Sequence, residues 1–411
     1  MTRQRWALVG ATLIEPRLRS VAEGGVLIDG DSIVESGPAV RREMVGDVEV
    51  VDAKGRFVMP GLIDTHIHLA FDGGPRPIER YLDEGIDDGF AARLAVSATT
   101  ALLAGATTIR DLGGPDEELF ALRGLIESGA IIGPRLLAAG SVLAPPGGHC
   151  HFIARLTESG GLDAAIEAQL DAGADCIKVM ITGGVHTAGS SSADVYYDEE
   201  ALRSAADITH RHGRRITGHV TNTTGIERAL RAGFDSLQHG SALDEPLARL
   251  AADAGVTLVP TLGTHAAMVE HHGDPRIPGH VAQKAGQGTA RKARAFGAAL
   301  AAGVTVAAGS DGGVTFVGHG SLARELALMR ASGLDAMTTL AAATSVAAME
   351  VGLPDRIGSL APGHAADLIV IDADPIADVR ALERIGLVVS RGVIVARGPT
   401  AAAVGQASGV A

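Results

Sequence analysis

Ala172-Gly-Ala-Asp-Cys-Ile-Lys-Val179 reads as the end of a helix followed at once by a short apolar run, and this joint decides the fold. Glycine closes a helix because it accepts the left-handed conformation at little steric cost. A short run rich in Ile and Val is what a strand covered on both faces looks like, as in a parallel sheet. The same joint recurs at Ala104-Gly105 before 106–111, at Gly213 before 214–219, at Ala232-Gly233 before 234–239, at Ala254-Gly255 before 256–260 and at Ala302-Gly303 before 304–311. With the run that ends at His68 and the run 134–141, eight βα units are present. Eight units predict an α/β chain of the (β/α)8 TIM-barrel type, with the Ala-rich helices as its outer ring. An open doubly wound sheet is the alternative, but no Gly-x-Gly-x-x-Gly opens the first unit.

Working outward, both ends change character. Stretches 6–14 and 25–30 are β-rich with Gly and Asp at the turn, and 366–372 and 387–395 are similar, the latter turning at Arg391-Gly392. Because termini often lie close together, one small β-sandwich built from both ends is expected. The predicted domains are 1–58 with 355–411 for the sandwich and 59–354 for the barrel.

The chain has 411 residues, 46% of them hydrophobic, enough for a large core. A net charge of −13 without a Lys/Arg run, and only 3% aromatic residues, argue against a nucleic-acid partner. Two cysteines, Cys150 and Cys176, make no disulfide framework and point to a reducing compartment. No stretch is long and apolar enough to span a bilayer, and residues 1–10 read as folded protein rather than a signal peptide. A cytoplasmic enzyme acting on a small molecule is the expectation.

Barrel chemistry gathers where strands end. The first run closes with His66 and His68, two apart and so on one side of a strand. The fourth carries Lys178, the fifth ends at His219, the sixth at His239 and the eighth at Asp311, while others end at Asp111, at His149 to His151 and at Thr261. One His at a strand end is ordinarily a hydrogen-bonded loop residue. A lysine inside an apolar run must be paired, neutralised or modified, and the plain alternative is a salt bridge to Asp111 or Asp175. The coincidence of four His, one Lys and one Asp at matching places in five units points to a pair of divalent ions, zinc being well suited to imidazole and carboxylate. His66, His68 and Asp311 are assigned to one ion and His219 and His239 to the other. A CO2-derived carbamate on Lys178 and a bridging hydroxide are assigned between them, with Asp311 as the catalytic proton carrier.

These residues resemble the amidohydrolase superfamily. Pro60-Gly-Leu-Ile-Asp-Thr-His-Ile-His68 is similar to its first-strand motif and Gly309-Ser-Asp311 to its eighth. The stretch 358–370 is similar to its closing sandwich motif, with His364 where Lys is usual. Within it, 177–184 and Gly147-Gly-His-Cys-His151 resemble the binuclear, carboxylated-lysine branch of metal-dependent Xaa-Pro dipeptidases and N-acyl amino acid carboxypeptidases, with Cys150 where Gly is usual. The resemblance implies that His149 or His151, and Tyr197, help bind a substrate carboxylate, and analogy implies a homo-oligomer. Tyr196 and Tyr197 as ring packing at a helix start, and a third metal site at His149, Cys150 and His151, are the alternatives weighed. The segment 271–280 is expected to be a mobile loop over the pocket, and His319 is expected to be structural.

The expected reaction is hydrolysis of an amide bond in a dipeptide or N-acyl amino acid. Rivals are a mononuclear imidazolonepropionase-like cyclic-amide hydrolase or deaminase, a lactone or ester hydrolase on the same site, and a scaffold without catalysis. Lys178 argues against the first, and the complete ligand set against the last.

Overall fold

A computed structural model describes residues 5–285 and 288–398; the outermost parts of the predicted sandwich, 1–4 and 399–411, lie outside them. The six glycines predicted to end helices, Gly105, Gly173, Gly213, Gly233, Gly255 and Gly303, all have positive φ, between 66° and 102°. Helix starts are equally local. Asp198, Asn222, Asp244 and Asp335 each accept a backbone N–H of the first turn that follows.

The strands after these glycines are parallel and buried. Leu62–Ile67, Ala106–Asp111 and Arg135–Ala138 form one run of the barrel wall. Cys176–Met180, Arg215–Val220, Ser236–His239 and Thr257–Val259 form the other, extended at one side by Val142–Ala144 and Ala154–Leu156. The two runs join where Asp175 N–H bonds Ala138 O. On the opposite side the predicted eighth strand is irregular. It bridges Leu258 through Val306 and Ile67 through Gly312, and Asp311 N–H bonds His66 O. The cause is local. Gly309 is pressed so tightly on the first strand that a Cβ there would stand 2.7 Å from His66 Cβ, and Asp311 turns left-handed at φ 58°.

The sandwich expectation holds in its main feature. An eight-stranded sheet draws Arg5–Glu15, Ser20–Asp29, Ser32–Gly37, Glu49–Asp52 and Phe57–Pro60 from one end of the chain, and Leu368–Ile371, Ile385–Ser390 and Val393–Arg397 from the other. The ends meet where Phe57–Pro60 pairs antiparallel with Leu368–Ile371. Alternation along the strands then divides the labour. Val58, Leu368 and Val370 pack a core inside the sheet domain, while Ile369, Ile371 and Val388 enter the barrel's core beside Leu62 and Leu102.

Candidate active site

His66 and His68 project from the end of the first strand, and their Nε2 atoms lie 3.3 Å apart. Asp311 Oδ1 is 3.4 Å from each. The far side of each ring is occupied. His66 Nδ1 meets Gln238 Oε1 at 2.7 Å, and His68 Nδ1 meets the carbonyl of Gly113 at 3.2 Å. Gln238 spends its amide N–H groups on Thr217 Oγ1 and Ser236 Oγ, so its oxygen faces the imidazole. Both Nδ1 atoms therefore carry the proton, and both Nε2 lone pairs point toward Asp311. Asp64 sits behind, accepting from Ser310 Oγ at 2.5 Å and from Ser310 N–H at 2.9 Å.

Across the cavity, His219 and His239 rings lie 4.5 Å apart, and His239 and His66 5.1 Å apart. His239 Nδ1 meets Thr261 Oγ1 at 2.8 Å, and its approach to Asp311 Oδ2 is 3.8 Å. Lys178 is 1% exposed, and its Nζ has no hydrogen-bond partner. The salt bridges weighed for it are otherwise engaged. Asp175 pairs with Arg123 at 2.5 Å, and Asp111 accepts from Leu69 and Gly113 N–H. Burial pushes Lys178 down to about 7, with nearby Asp311 opposing. Burial also pushes His219 down to about 3 and His239 well below its ordinary value, which keeps both neutral, the ligating form. Asp311 would rise through burial, but the surrounding imidazoles, His66 foremost, hold it well below the usual carboxylate range.

The donor set fits a divalent cation. Among the described residues, His66, His68 and Asp311 form one group whose ligand atoms all lie within 4.8 Å of one another. Lys178 supplies the second sign, a buried nitrogen with nothing to hold. His149, Cys150 and His151 form no such group. The backbone geometry has a cost, since Cys150, His239, Thr261 and Asp311 all have φ between 47° and 69°. Such residues store about 1–3 kcal/mol each and persist where the surroundings over-determine them, as at active sites.

The cavity over this cluster measures about 330 Å³. His149 lines it, with Nδ1 3.0 Å from Thr187 Oγ1 and its ring 4.5 Å from that of His219. His151 does not line it; its Nδ1 turns to Gly148 O. Nor is Tyr197 brought there. Its ring is in the core and its hydroxyl donates to Thr157 O, because the chain presents the two tyrosines in opposite directions. Tyr196 OH instead accepts from His149 N–H and meets Ser190 Oγ, so it braces the His149 loop. His319 lies outside the cavity with Nε2 against His68 O, a structural place as expected.

Sequence reading missed His186, His265, Lys284 and Arg291, all on the cavity wall. Lys284 comes from the helix Gly279–Ala285, which begins within the last two residues of the segment read as a mobile loop. Within that segment Ile277 is buried beside Met268, while His272, Pro275 and Arg276 are exposed. His271 stacks on Phe316 at 3.8 Å, and Lys284 donates to the carbonyls of Thr187 and Ser190 at 2.8 and 2.6 Å. No helix among the described residues is long and apolar enough to cross a membrane.

Comparison with known proteins agrees with this geometry. The chain is 28% identical over 359 residues to an ochratoxinase of Aspergillus niger, covering 79% of this chain and 72% of that protein. A solved Xaa-Pro dipeptidase with methionine bound in its active site superposes with a TM-score of 0.88 at 26% identity, covering 96% of this chain and all of that one. A prolidase complexed with N-methylphosphonate-L-proline superposes at 0.87 and 28% identity, with the same coverage. Residues 57–395 match the amidohydrolase family, and the chain belongs to that family as a hydrolase acting on carbon–nitrogen bonds.

Proposed function

We propose that this enzyme hydrolyses the amide bond of a dipeptide or N-acyl amino acid with two divalent cations, zinc being the best match to the donors. His66, His68 and Asp311 would hold one cation, His219 and His239 the other, and Lys178, carboxylated by CO2, would stand between them. The observation that carries the reading is Lys178 Nζ, buried at the cluster without a partner. Carboxylation turns that amine into an anionic group able to face two cations, and a lysine held near 7 has the neutral amine that the reaction with CO2 needs. Bound cations lower the pKa of water and polarise a substrate carbonyl.

The chain's own residues do the rest. Asp311, kept ionised, takes the proton of the attacking water and returns it to the leaving nitrogen. His149 and Arg291, both on the cavity wall, offer donors to a substrate carboxylate. Among the described lining residues Asp311 is the one acidic side chain, so an anionic substrate end meets little repulsion away from the cations. A cavity of about 330 Å³ is at the small end for ligand pockets, which suits a dipeptide-sized molecule. The methionine bound in the solved Xaa-Pro dipeptidase and the N-methylphosphonate-L-proline bound in the solved prolidase both carry an amino-acid portion, which supports a substrate that releases an amino acid.

The test pairs metal analysis with a panel of dipeptides, N-acyl amino acids, their amidated counterparts, and esters or lactones. Two ions per chain and a preference for substrates with a free carboxylate are expected. One ion per chain with unmodified Lys178, or turnover confined to lactones, would overturn the reading.

A further inference from the structure

Behind His239 lies a buried polar cluster that no step above uses. Thr261 is fully buried and left-handed at φ 47°, and it begins the helix Leu262–Glu270 without capping it. The capping is done from elsewhere. Glu325 accepts the N–H groups of Leu262 and Gly263, both at 2.7 Å. These are orphan donors of the first turn, and a carboxylate satisfies both. Thr261's hydroxyl is thereby released to meet His239 Nδ1 at 2.8 Å. Lys292, 2% exposed, donates to Thr261 O at 2.5 Å and to Thr261 Oγ1 at 3.0 Å. Neither Thr261, Lys292 nor Glu325 lines the cavity.

We infer that Lys292 and Glu325 are positioning residues which, through Thr261, fix the His239 ring so that Nδ1–H donates to the threonine oxygen and Nε2 keeps the lone pair for a cation. The inference rests on the two-cation reading. It explains why a β-branched residue is kept in a left-handed turn: Lys292 grips both of its oxygens, and Glu325 holds the two N–H groups that follow. A hydrogen-bonded partner on the far nitrogen orients a ligating imidazole and raises its basicity.

The test uses the full chain loaded with zinc and competed with a chelator, for wild type, Thr261→Val, Thr261→Ser and Lys292→Met. Thr261→Val and Lys292→Met are expected to bind one zinc as tightly as wild type and the second about 10- to 100-fold more weakly. Thr261→Ser, which keeps the hydroxyl, is expected to restore the second. kcat should fall with second-site occupancy while KM changes less. Wild type with two ions and both variants equally tight would overturn this inference alone. Wild type with a single ion, held equally by the variants, would overturn the two-cation reading as well. If Lys292→Met does not fold, the valine and serine pair decides the matter.

Discussion

At one corner of the cavity His66, His68 and Asp311 already face each other across 3.3–3.4 Å, and at the other the His219 and His239 rings lie 4.5 Å apart near a buried lysine whose Nζ has no hydrogen-bond partner. The first corner is built by backbone. Two side chains share a strand, the third sits on a turn bonded to that strand, and each imidazole is pinned from behind by Gln238 or Gly113. The second corner is built by side chains from three strands, and at its centre is a lysine with no partner. Three ligands set by covalent proximity and a backbone bond need little from a cation. A corner with an unsatisfied nitrogen is where the proposed carbamate would add the missing group.

The comparison is broken most severely at the residue facing both corners. Asp311→Asn keeps the shape of the side chain and removes the carboxylate that the proposed mechanism uses as proton carrier and anionic ligand. Turnover is expected to fall by about 10²–10⁴-fold or more, the range for a general base, with much of the metal retained by elemental analysis. An Asn variant with wild-type kcat would remove Asp311 from the chemistry.

Lys178→Ala strikes the second corner hardest, because the proposed carbamate would face both cations but the first keeps His66, His68 and Asp311. The first ion should stay, the second should be lost, and added short carboxylic acids should restore part of the activity by supplying the missing oxygens. Full metal content and full rate in this variant would sink the carbamate bridge. A smaller effect is expected at His149, which stands over the second corner with its ring against His219. His149→Ala should raise KM for carboxylate-bearing substrates by about 10- to 100-fold, as loss of a hydrogen bond to a charged group does, with a smaller change for amidated analogues. Equal losses on both substrates would take carboxylate binding away from it.

The two corners also differ in how far they could be read from sequence. His-x-His on one strand and a Ser-Asp pair after an apolar run are visible because strand alternation alone brings the first pair together. The barrel joints were visible because a glycine at positive φ leaves a residue-level mark. What supports the imidazoles was not. Gln238 and Thr261 are ordinary polar strand-end residues, and only the fold shows that their oxygens meet His66 and His239. Lys284 and Arg291 were missed because they reach the cavity from helices in a segment without strand rhythm. Tyr197 illustrates a different limit. Adjacent residues in extended chain face opposite ways, so a one-residue ambiguity decides between core and site.

Cys150 gives the mildest test, because it separates a backbone demand from a side-chain one. It stands where the resemblance expects glycine, and its φ of 56° shows that the left-handed conformation is kept despite the added Cβ. Burial pushes its thiol up to about 12, so it is protonated and unreactive at neutral pH. Cys150→Gly should relieve about 1–2 kcal/mol of left-handed strain. Against that stand about 0.5–1 kcal/mol of extra backbone entropy and the loss of a small buried side chain. Thermal unfolding should therefore move by no more than a few degrees, and kcat/KM should stay within about threefold, since one pKa unit's worth of free energy, about 1.4 kcal/mol, would already be tenfold. Cys150→Val, β-branched in the same conformation, should destabilise the loop and lower activity through His149. A tenfold loss in the glycine variant would mean that the thiol, not the turn it occupies, is what this part of the second corner requires.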